Sequence, residues 1–457
     1  MTDKVNNKKR KKEVTMKKIL IILALVILYS CNKQNGELIG VQGRQEWYQP
    51  DPFGMLFIPM GSYNMGPSDQ DVPYALTAQT RTVSVQAFYI DQTEISNNEY
   101  RQFVYHVRDS IARKILGEEI DEEYYLLLMN EWEEEYDVPI INWYAKLKYG
   151  DHKQPEIREA LEPMYYSMGE RYMGRRQFDT RKFNYTYYWI DYRRAAKRSS
   201  RDALNGQEGA RHAFSMDRSQ FIMRDVINVY PDTLAWIHDF TYSFNEPMTQ
   251  NYFWHPAYDD YPVVGVSWKQ ATAFSIWRTR LLQAYLADIG GTITNDFRLP
   301  TESEWEYAAR GGLDLSPYPW GGPYIRNARG CFLGNFKPMR GNYIDDGGFH
   351  TVKINSYNPN DYGLYCMAGN VAEWTSNAFD ESAYNFAHDL NPDYMYDAKD
   401  EEPEVLKRKV IRGGSWKDIG YYLQTGTRTY EYQDTAKSYI GFRCVMTYLG
   451  RAKDDNL

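Results

Sequence analysis

The chain has 457 residues, of which 43% are hydrophobic and 25% are charged, proportions typical of a folded globular protein. Its length allows one large domain or two domains of medium size. The formal net charge of −8 argues against nucleic acid as a partner, because phosphates are bound mainly by lysine and arginine.

A secretory signal is predicted near the N-terminus. Met16 and two lysines precede the apolar run Ile19–Leu28, which is too short to cross a bilayer as a helix and is followed closely by Cys31. This order of basic, apolar and cysteine residues resembles a bacterial lipobox, in which Cys31 is lipidated and becomes the mature N-terminus. The alternative is a core helix with a chance cysteine.

These features divide the chain into five segments. Residues 1–15 are interpreted as an over-extended gene start before Met16, 16–30 as a lipoprotein signal peptide, 31–52 as a tether, 53–449 as the main domain and 450–457 as a polar tail. Removal of residues 1–30 takes away eight basic and two acidic residues, so the net charge moves from −8 to −14. Attachment to a membrane would then depend on acyl chains, and more than one chain makes it stable. No acidic cluster follows Cys31, which favours the periplasmic face of the outer membrane.

Two strands and a helix are predicted next. Alternating apolar and polar residues predict strands at Met55–Ile58 and Arg81–Tyr89. Asp91–Val104 has a helical period, and Ser96 with Glu99 three residues later predicts a capping box at the helix start. The core-facing residues of this helix would be Tyr100, Phe103 and Val104.

A long segment of about residues 106–260 follows. Glu118–Tyr136 is acidic and amphipathic, whereas Arg171–Arg201 is rich in arginine and tyrosine. Because both residue types are enriched in interfaces, we interpret the second stretch as a partner surface that can be shortened without unfolding the core. The alternative is a solvated, partly helical insertion. The candidate interface residues are Arg171, Arg175, Arg176, Tyr187, Tyr188, Trp189, Arg193 and Arg194.

Regular structure returns after this segment. Val263–Ser267 predicts a short strand, and Trp268–Leu286 predicts a helix. Thr301 and Glu304 have the spacing of a second capping box, which predicts another helix. The residues expected to face the core from the two helices are Ala271, Phe274, Ser275, Trp277, Leu281, Trp305, Ala308 and Ala309.

Several C-terminal motifs resemble the formylglycine-generating enzyme (sulfatase-modifying factor) family. They are Arg298–Gly312, Tyr362–Trp374, Val410–Trp416 and Gly441–Cys444, and Gly54–Gly66 belongs with them. The resemblance implies an α+β, formylglycine-generating-enzyme-like (C-type-lectin-like) fold with little regular secondary structure, here with a large, partly helical insertion.

The resemblance also locates the reactive positions of the family. Its copper-binding, redox-active cysteines stand three and eight residues after the serine of the GGS motif. From Ser415 these places hold Asp418 and Leu423, and Ala372 stands where the family has a groove tryptophan. Copper cycling needs soft thiolates, whereas a carboxylate is hard and leucine has no ligand atom. The sequence therefore predicts a non-catalytic protein that requires no cofactor.

The resemblance implies structural calcium. Carboxylates and carbonyls on glycine-rich loops suit a hard and flexible cation, although an Asp-Asp-Gly-Gly turn without an ion is the alternative for the first site. Cys366, a poor calcium ligand, makes the second site doubtful. The implied ligands are Asn335, Phe336, Asp345 and Asp346 at the first site, and Gly369, Val371 and Glu373 at the second.

The sequence contains no recognisable motif for a histidine metal site, a serine hydrolase or a nucleotide-binding protein. The seven histidines have no HxxxH or HExxH spacing, and the chain has no GxSxG, P-loop or GxGxxG motif. Glu373 and Arg412 are interpreted as a buried structural ion pair, with a catalytic pair as the alternative.

A second resemblance covers nearly all of the mature chain. Gly36–Gly66 and Tyr230–Trp268 resemble the GldK/PorK family of gliding-motility lipoproteins of the type IX secretion system in Bacteroidota. It implies a non-catalytic, lipid-anchored outer-membrane protein facing the periplasm, which self-associates in a ring with a GldN/PorN-type partner and other secretion components. The alternatives are a metal-dependent side-chain-modifying oxidase of the sulfatase-maturation type, or a periplasmic peptide- or glycan-binding lipoprotein.

Overall fold

The computed structural model describes residues 48–67, 79–129, 134–149, 154–200, 218–239, 246–339, 342, 344, 348–389 and 391–450. The chain divides into Met1–Tyr48 and a compact unit, Gln49–Leu457. The predicted signal peptide and Cys31 lie outside the described residues. No helix in the described ranges is long and apolar enough to cross a bilayer.

Nine α-helices lie entirely within the described residues, and two of them are long. Short 3₁₀ helices occupy Glu162–Met164, Tyr172–Gly174, Thr180–Lys182, Arg218–Phe221, Pro256–Tyr258, Glu404–Lys407 and Gly420–Leu423. The α-helices are α1 (Asn97–Glu119), α2 (Glu122–Tyr125), α3 (Pro155–Ala160), α4 (Tyr192–Ala196), α5 (Ala235–Asp239), α6 (Pro247–Asn251), α7 (Trp268–Asp288), α8 (Glu302–Arg310) and α9 (Ala383–Phe386).

The strands of the described residues form two four-stranded sheets and three two-stranded sheets, so the fold is of the α+β class, as predicted. The larger sheets have the orders β1-β4-β14-β9, which is antiparallel, and β12-β11-β10-β13, in which β10 and β13 are parallel. The strands are β1 (Met55–Ile58), β2 (Gly61–Met65), β3 (Arg81–Val85), β4 (Phe88–Asp91), β5 (Leu126–Met129), β6 (Glu135–Ile141), β7 (Asn184–Ile190), β8 (Ile222–Asn228), β9 (Phe297–Arg298), β10 (Ala372–Ala378), β11 (Arg408–Arg412), β12 (Thr429–Tyr432), β13 (Ile440–Gly441) and β14 (Val445–Thr447).

Capping boxes start the three principal helices. Ser96 caps α1 with Glu99, and Thr301 caps α8 with Glu304, as the sequence predicts. Ser267 caps α7 in the same way with Gln270. Each box satisfies backbone N–H groups that the first helical turn leaves without a partner.

Three local predictions are wrong. The predicted strand Arg81–Tyr89 is divided, because β3 ends at Val85 and β4, which belongs to another sheet, begins at Phe88. Val263–Ser267 is not a strand, because Gly265 adopts a φ of 74° and its N–H donates instead to the Lys437 carbonyl. Leu281 does not face the core, since it is 49% exposed on α7.

The end of the predicted tether contacts the compact unit. Gln49 is buried, and its side chain accepts a hydrogen bond from the Leu449 N–H at 2.8 Å while donating to Met446 Sδ.

The 106–260 segment is built into the main core. Phe183 and Tyr187 are buried there, and the Tyr185 ring packs edge-on against Phe103 of α1 at 5.2 Å. The hairpin of β7 and β8 lies against α7. The expectation that Arg171–Arg201 can be shortened without unfolding the core is therefore wrong.

Candidate functional site

The loop after β11 carries the positions that the resemblance assigns to the reactive cysteines. Gly414 has a φ of 68°, and a Cβ there would lie 2.9 Å from the Tyr422 carbonyl oxygen, so the close approach of the two segments requires glycine. Ser415 is buried, and its hydroxyl donates to Asp418 Oδ2 at 2.6 Å. The Asp418 carboxylate thus closes the loop on itself.

Leu423 lies close to the same loop but faces away from solvent. It is fully buried in an apolar cluster with Tyr318, Phe336 and Ala368. Burial raises the pKa of Asp418, although hydrogen bonds from Ser415 and the charge of Lys417 oppose the shift. One hard oxygen donor and one hydrocarbon make a donor set that does not fit copper.

The described cysteines do not replace the missing ligands. Cys366 and Cys444 are buried free thiols, and burial raises the pKa of Cys444 to about 12. Burial also raises the pKa of Cys366 well above its usual value. Both are therefore neutral at physiological pH, and Cys331 is a single exposed thiol.

A shallow groove of about 650 Å³ lies beside the loop. Its lining includes Ile325, Phe336, Ile419 and Tyr421. Ala372 is buried within the main core, on β10, so this position does not supply a groove side chain. The groove has an apolar and aromatic lining, with Asp418 and Leu423 outside it.

Residues near the end of the 106–260 segment pack against the loop after β11 on the side of Trp416 and Lys417. Trp236 of α5 stacks on Trp416 with ring centroids 6.0 Å apart, and the Asp239 carboxylate accepts hydrogen bonds from Lys417 and Ser438. His350 packs edge-on against Trp416 at 5.2 Å. This contact between a distant segment and the VIRGGSW motif was not predicted.

Glu373 forms a buried ion pair, but its partner is Arg443 and not Arg412. Arg443 Nη2 donates to Glu373 Oε1 at 2.6 Å, and Nε donates to Oε2 at 2.7 Å. Trp305 Nε1 donates to the same carboxylate at 2.7 Å. Both the predicted Glu373–Arg412 pair and its catalytic alternative are therefore corrected, although the two residues face each other across β10 and β11.

Arg412 belongs to a second buried group under α8. It donates to Glu306, which also accepts from Arg310 Nε at 3.0 Å. Glu302 accepts from Arg428 Nε at 2.8 Å. All of these side chains are buried, so each carboxylate requires its guanidinium partner to offset the cost of desolvation.

Glu94 is the exception, because its direct donors among the described residues are a side-chain amide and a backbone N–H rather than a guanidinium. Asn370 Nδ2 and the Val371 N–H donate to its carboxylate at 2.6 and 3.2 Å. Burial, reinforced by the nearby Glu373 charge, holds the pKa of Glu94 well above its usual range. Nothing in the sequence motifs singled out this residue.

The structure describes only some of the candidate calcium ligands. Asn335 is buried, its Nδ2 donates to the His350 carbonyl at 2.6 Å, and its Oδ1 faces Gly348. Asp345 and Asp346 lie outside the described residues. At the second candidate site, Glu373 is engaged by Arg443, whose positive charge does not fit a calcium ligand set.

The candidate interface residues fall into different environments. Arg175, Tyr188 and Arg194 are exposed, whereas Tyr187 is buried in the core and leaves the predicted surface. Arg171 and Arg176 form ion pairs with Glu162, and Trp189 Nε1 donates to Asp225 at 2.6 Å. The side chain of Arg193 lies outside the described part of the structure.

Residues 45–448 match the sulfatase-modifying factor enzyme 1-like domain family. The inactive Cα-formylglycine-generating enzyme 2 of Bos taurus is 35% identical over 192 residues, covering 40% of this chain and 50% of that protein. The formylglycine-generating enzyme of Streptomyces coelicolor is 34% identical over 191 residues, covering 40% of this chain and 52% of that protein. The match thus spans about half the length of these relatives.

Among solved structures, PvdO from Pseudomonas aeruginosa is similar with a TM-score of 0.43 and 17% identity, covering 86% of this chain and 94% of that chain. The family match extends through both four-stranded sheets and through the loop that contains Ser415. This chain belongs to the sulfatase-modifying factor enzyme 1-like domain family.

Proposed function

We propose that this protein is a non-catalytic member of its family that serves as a structural component. The observation that carries the proposal is the state of the loop after β11. Asp418 is hydrogen-bonded to Ser415, and Leu423 is sealed in an apolar cluster, where the family chemistry requires two thiolates. The Glu373–Arg443 and Glu306–Arg412 pairs join charged groups of the motifs in the buried core.

The similar proteins support this proposal. The relatives include both active enzymes and proteins named as inactive forms, so loss of activity has precedent within the family. In this chain the buried Glu302–Arg428 and Glu373–Arg443 pairs are formed, which indicates that the fold persists without the reactive cysteines. A metal-dependent oxidase is not favoured because the donor set does not fit copper.

We further propose that the protein is a GldK/PorK-type component of the type IX secretion system. Its support is the resemblance of Gly36–Gly66 and Tyr230–Trp268 together with the predicted lipobox. The second stretch is an integral part of the fold, since the Asp232 N–H donates to the Gly265 carbonyl at 2.7 Å and Trp236 packs on Trp416. We place the protein on the outer membrane, facing the periplasm, in a ring with a GldN/PorN-type partner.

Lipid attachment gives the first test of this role. We expect Cys31→Ala to remove the protein from the outer-membrane fraction and to abolish incorporation of labelled palmitate, because the acyl chains supply the anchoring energy. The matched control is Cys331→Ala, which removes an exposed thiol and should leave fractionation unchanged. A Cys31→Ala protein that still floats with outer-membrane vesicles would contradict the lipoprotein assignment.

A further inference from the structure

Two small sheets of the 106–260 segment expose apolar side chains. Acidic side chains surround the exposed residues of one sheet, and basic side chains surround those of the other. The first, called here the acidic face, is the exposed side of β5 and β6. Val138 is 74% exposed, Ile140 46% and Leu127 42%, and Leu127 lies directly opposite Ile140 in the sheet. The exposed carboxylates on and around this sheet are Glu122, Glu123, Glu135 and Asp137.

The acidic face has no compensating cations nearby in the sequence. Residues 118–137 contain no lysine or arginine. Glu122, Glu123, Glu135 and Asp137 form no ion pair with a described lysine or arginine of the same molecule. Their negative charge is therefore available to another surface.

The second surface, called here the basic face, is the outer side of β7 and β8. Tyr188, Ile190, Ile222 and Val226 are each between 45% and 56% exposed. Ile190 lies opposite Ile222, and Tyr188 lies opposite the exposed Arg224. At the same end of the hairpin, α4 and the residue that follows it add the exposed cations Arg194 and Lys197.

We propose that the acidic face of one molecule docks on the basic face of a second copy of this chain. The acidic face combines exposed apolar side chains with nearby carboxylates, and the basic face combines them with Arg194, Lys197 and Arg224. Exposed patches of this kind mark interaction sites. The charges would steer the encounter and set the register, while the apolar pairs would supply the buried area. Both faces are exposed in the same molecule, so neither covers the other.

The contact would be heterologous, because it joins two different surfaces. Such contacts repeat from one copy to the next and give a closed ring when the rotation between copies closes, or a filament when it does not. The biological setting of this contact rests on the proposed structural role. The partner of each face is a second copy of this chain.

Two sets of charge reversals on the full-length protein in detergent test the contact. The acidic-face variant carries Glu135→Lys and Asp137→Lys, and the basic-face variant carries Arg194→Glu and Arg224→Glu. Sedimentation velocity over a concentration series should show self-association of the wild type, weakened at least about tenfold in Kd by either variant at low salt. The control carries Asp288→Lys and Arg329→Glu, two exposed positions outside both faces, and should associate as the wild type does.

An equimolar mixture of the two variants gives the sharpest result. Each variant keeps one intact face, so the mixture should recover heterodimers, and cross-links between ¹⁴N- and ¹⁵N-labelled molecules should join residues of β6 to residues of β8. The proposal is overturned if the wild type is monomeric throughout, if both variants associate as the control does, or if the mixture does not recover. It is also overturned if the faces cross-link to residues 201–217 of the same molecule or only to a different protein. Lipid anchoring and lack of oxidase activity are measured separately, so this contact and the proposed function fail independently.

Discussion

Arg443→Met is expected to lower the free energy of unfolding by about 3–5 kcal/mol, the usual cost of removing one partner from a buried ion pair. Arg443 and Glu373 are both inaccessible to solvent. The guanidinium donates to the Glu373 carboxylate and to the carbonyls of Asp91 and Tyr365, at 3.1 and 2.9 Å. Its removal leaves a buried negative charge close to Glu94 and leaves two carbonyls without this donor. Denaturant unfolding monitored by tryptophan fluorescence measures the change.

Two controls separate the ion pair from general effects of substitution. Arg443→Lys retains the charge but loses the two-point contact, so its destabilisation should fall between those of the wild type and Arg443→Met. Arg329→Met changes an exposed arginine and should alter stability by less than about 0.5 kcal/mol. A loss of less than about 1 kcal/mol in Arg443→Met would show that the buried pair does not hold the core.

Trp236→Ala is the second substitution with a large expected effect, a loss of about 3–5 kcal/mol of stability in the region that it packs against. Trp236 is 3% exposed and lies between Trp416 and Tyr252, with ring centroids 6.0 and 4.9 Å away. The truncation would leave a cavity where the 106–260 segment meets the VIRGGSW motif. Hydrogen exchange should accelerate at the Trp416 amide, which donates to the Asn370 carbonyl at 2.9 Å.

The matched control is Trp254→Ala, because Trp254 lies in the same segment but is 52% exposed. It should change stability by less than about 1 kcal/mol. Equal protection of the Trp416 amide in the wild type and in Trp236→Ala would show that the segment does not support the loop.

Local sequence signals predicted the starts of the main helices. The capping boxes at Ser96 and Thr301 involve residues three apart, and the core-facing Tyr100, Phe103 and Trp305 follow from helical period alone. The strand predicted at Val263–Ser267 failed because the backbone conformation of Gly265 is set by its contact with Asp232. Periodicity does not report such contacts.

The parts of the candidate site that depend on distant residues could not be predicted. Arg443 is 70 residues from Glu373 in sequence, and Arg412 is 106 residues from Glu306. Glu373 and Arg412 face each other across β10 and β11, but their side chains pair elsewhere. Composition likewise marked Arg171–Arg201 as a surface, whereas alternation within β7 buries Tyr187 and exposes Tyr188. Only tertiary packing decides which side of that hairpin is covered.

The central claim is that a formylglycine-generating fold is retained here without its oxidation chemistry. Its most direct test is to incubate the purified full-length protein with Cu(I), dioxygen and a cysteine-containing peptide that the Streptomyces coelicolor enzyme converts, and to follow formylglycine by mass spectrometry. We expect no conversion above the protein-free background, while the Streptomyces enzyme converts the peptide under the same conditions. Copper-dependent conversion by this protein that is lost in Asp418→Ala would contradict the account.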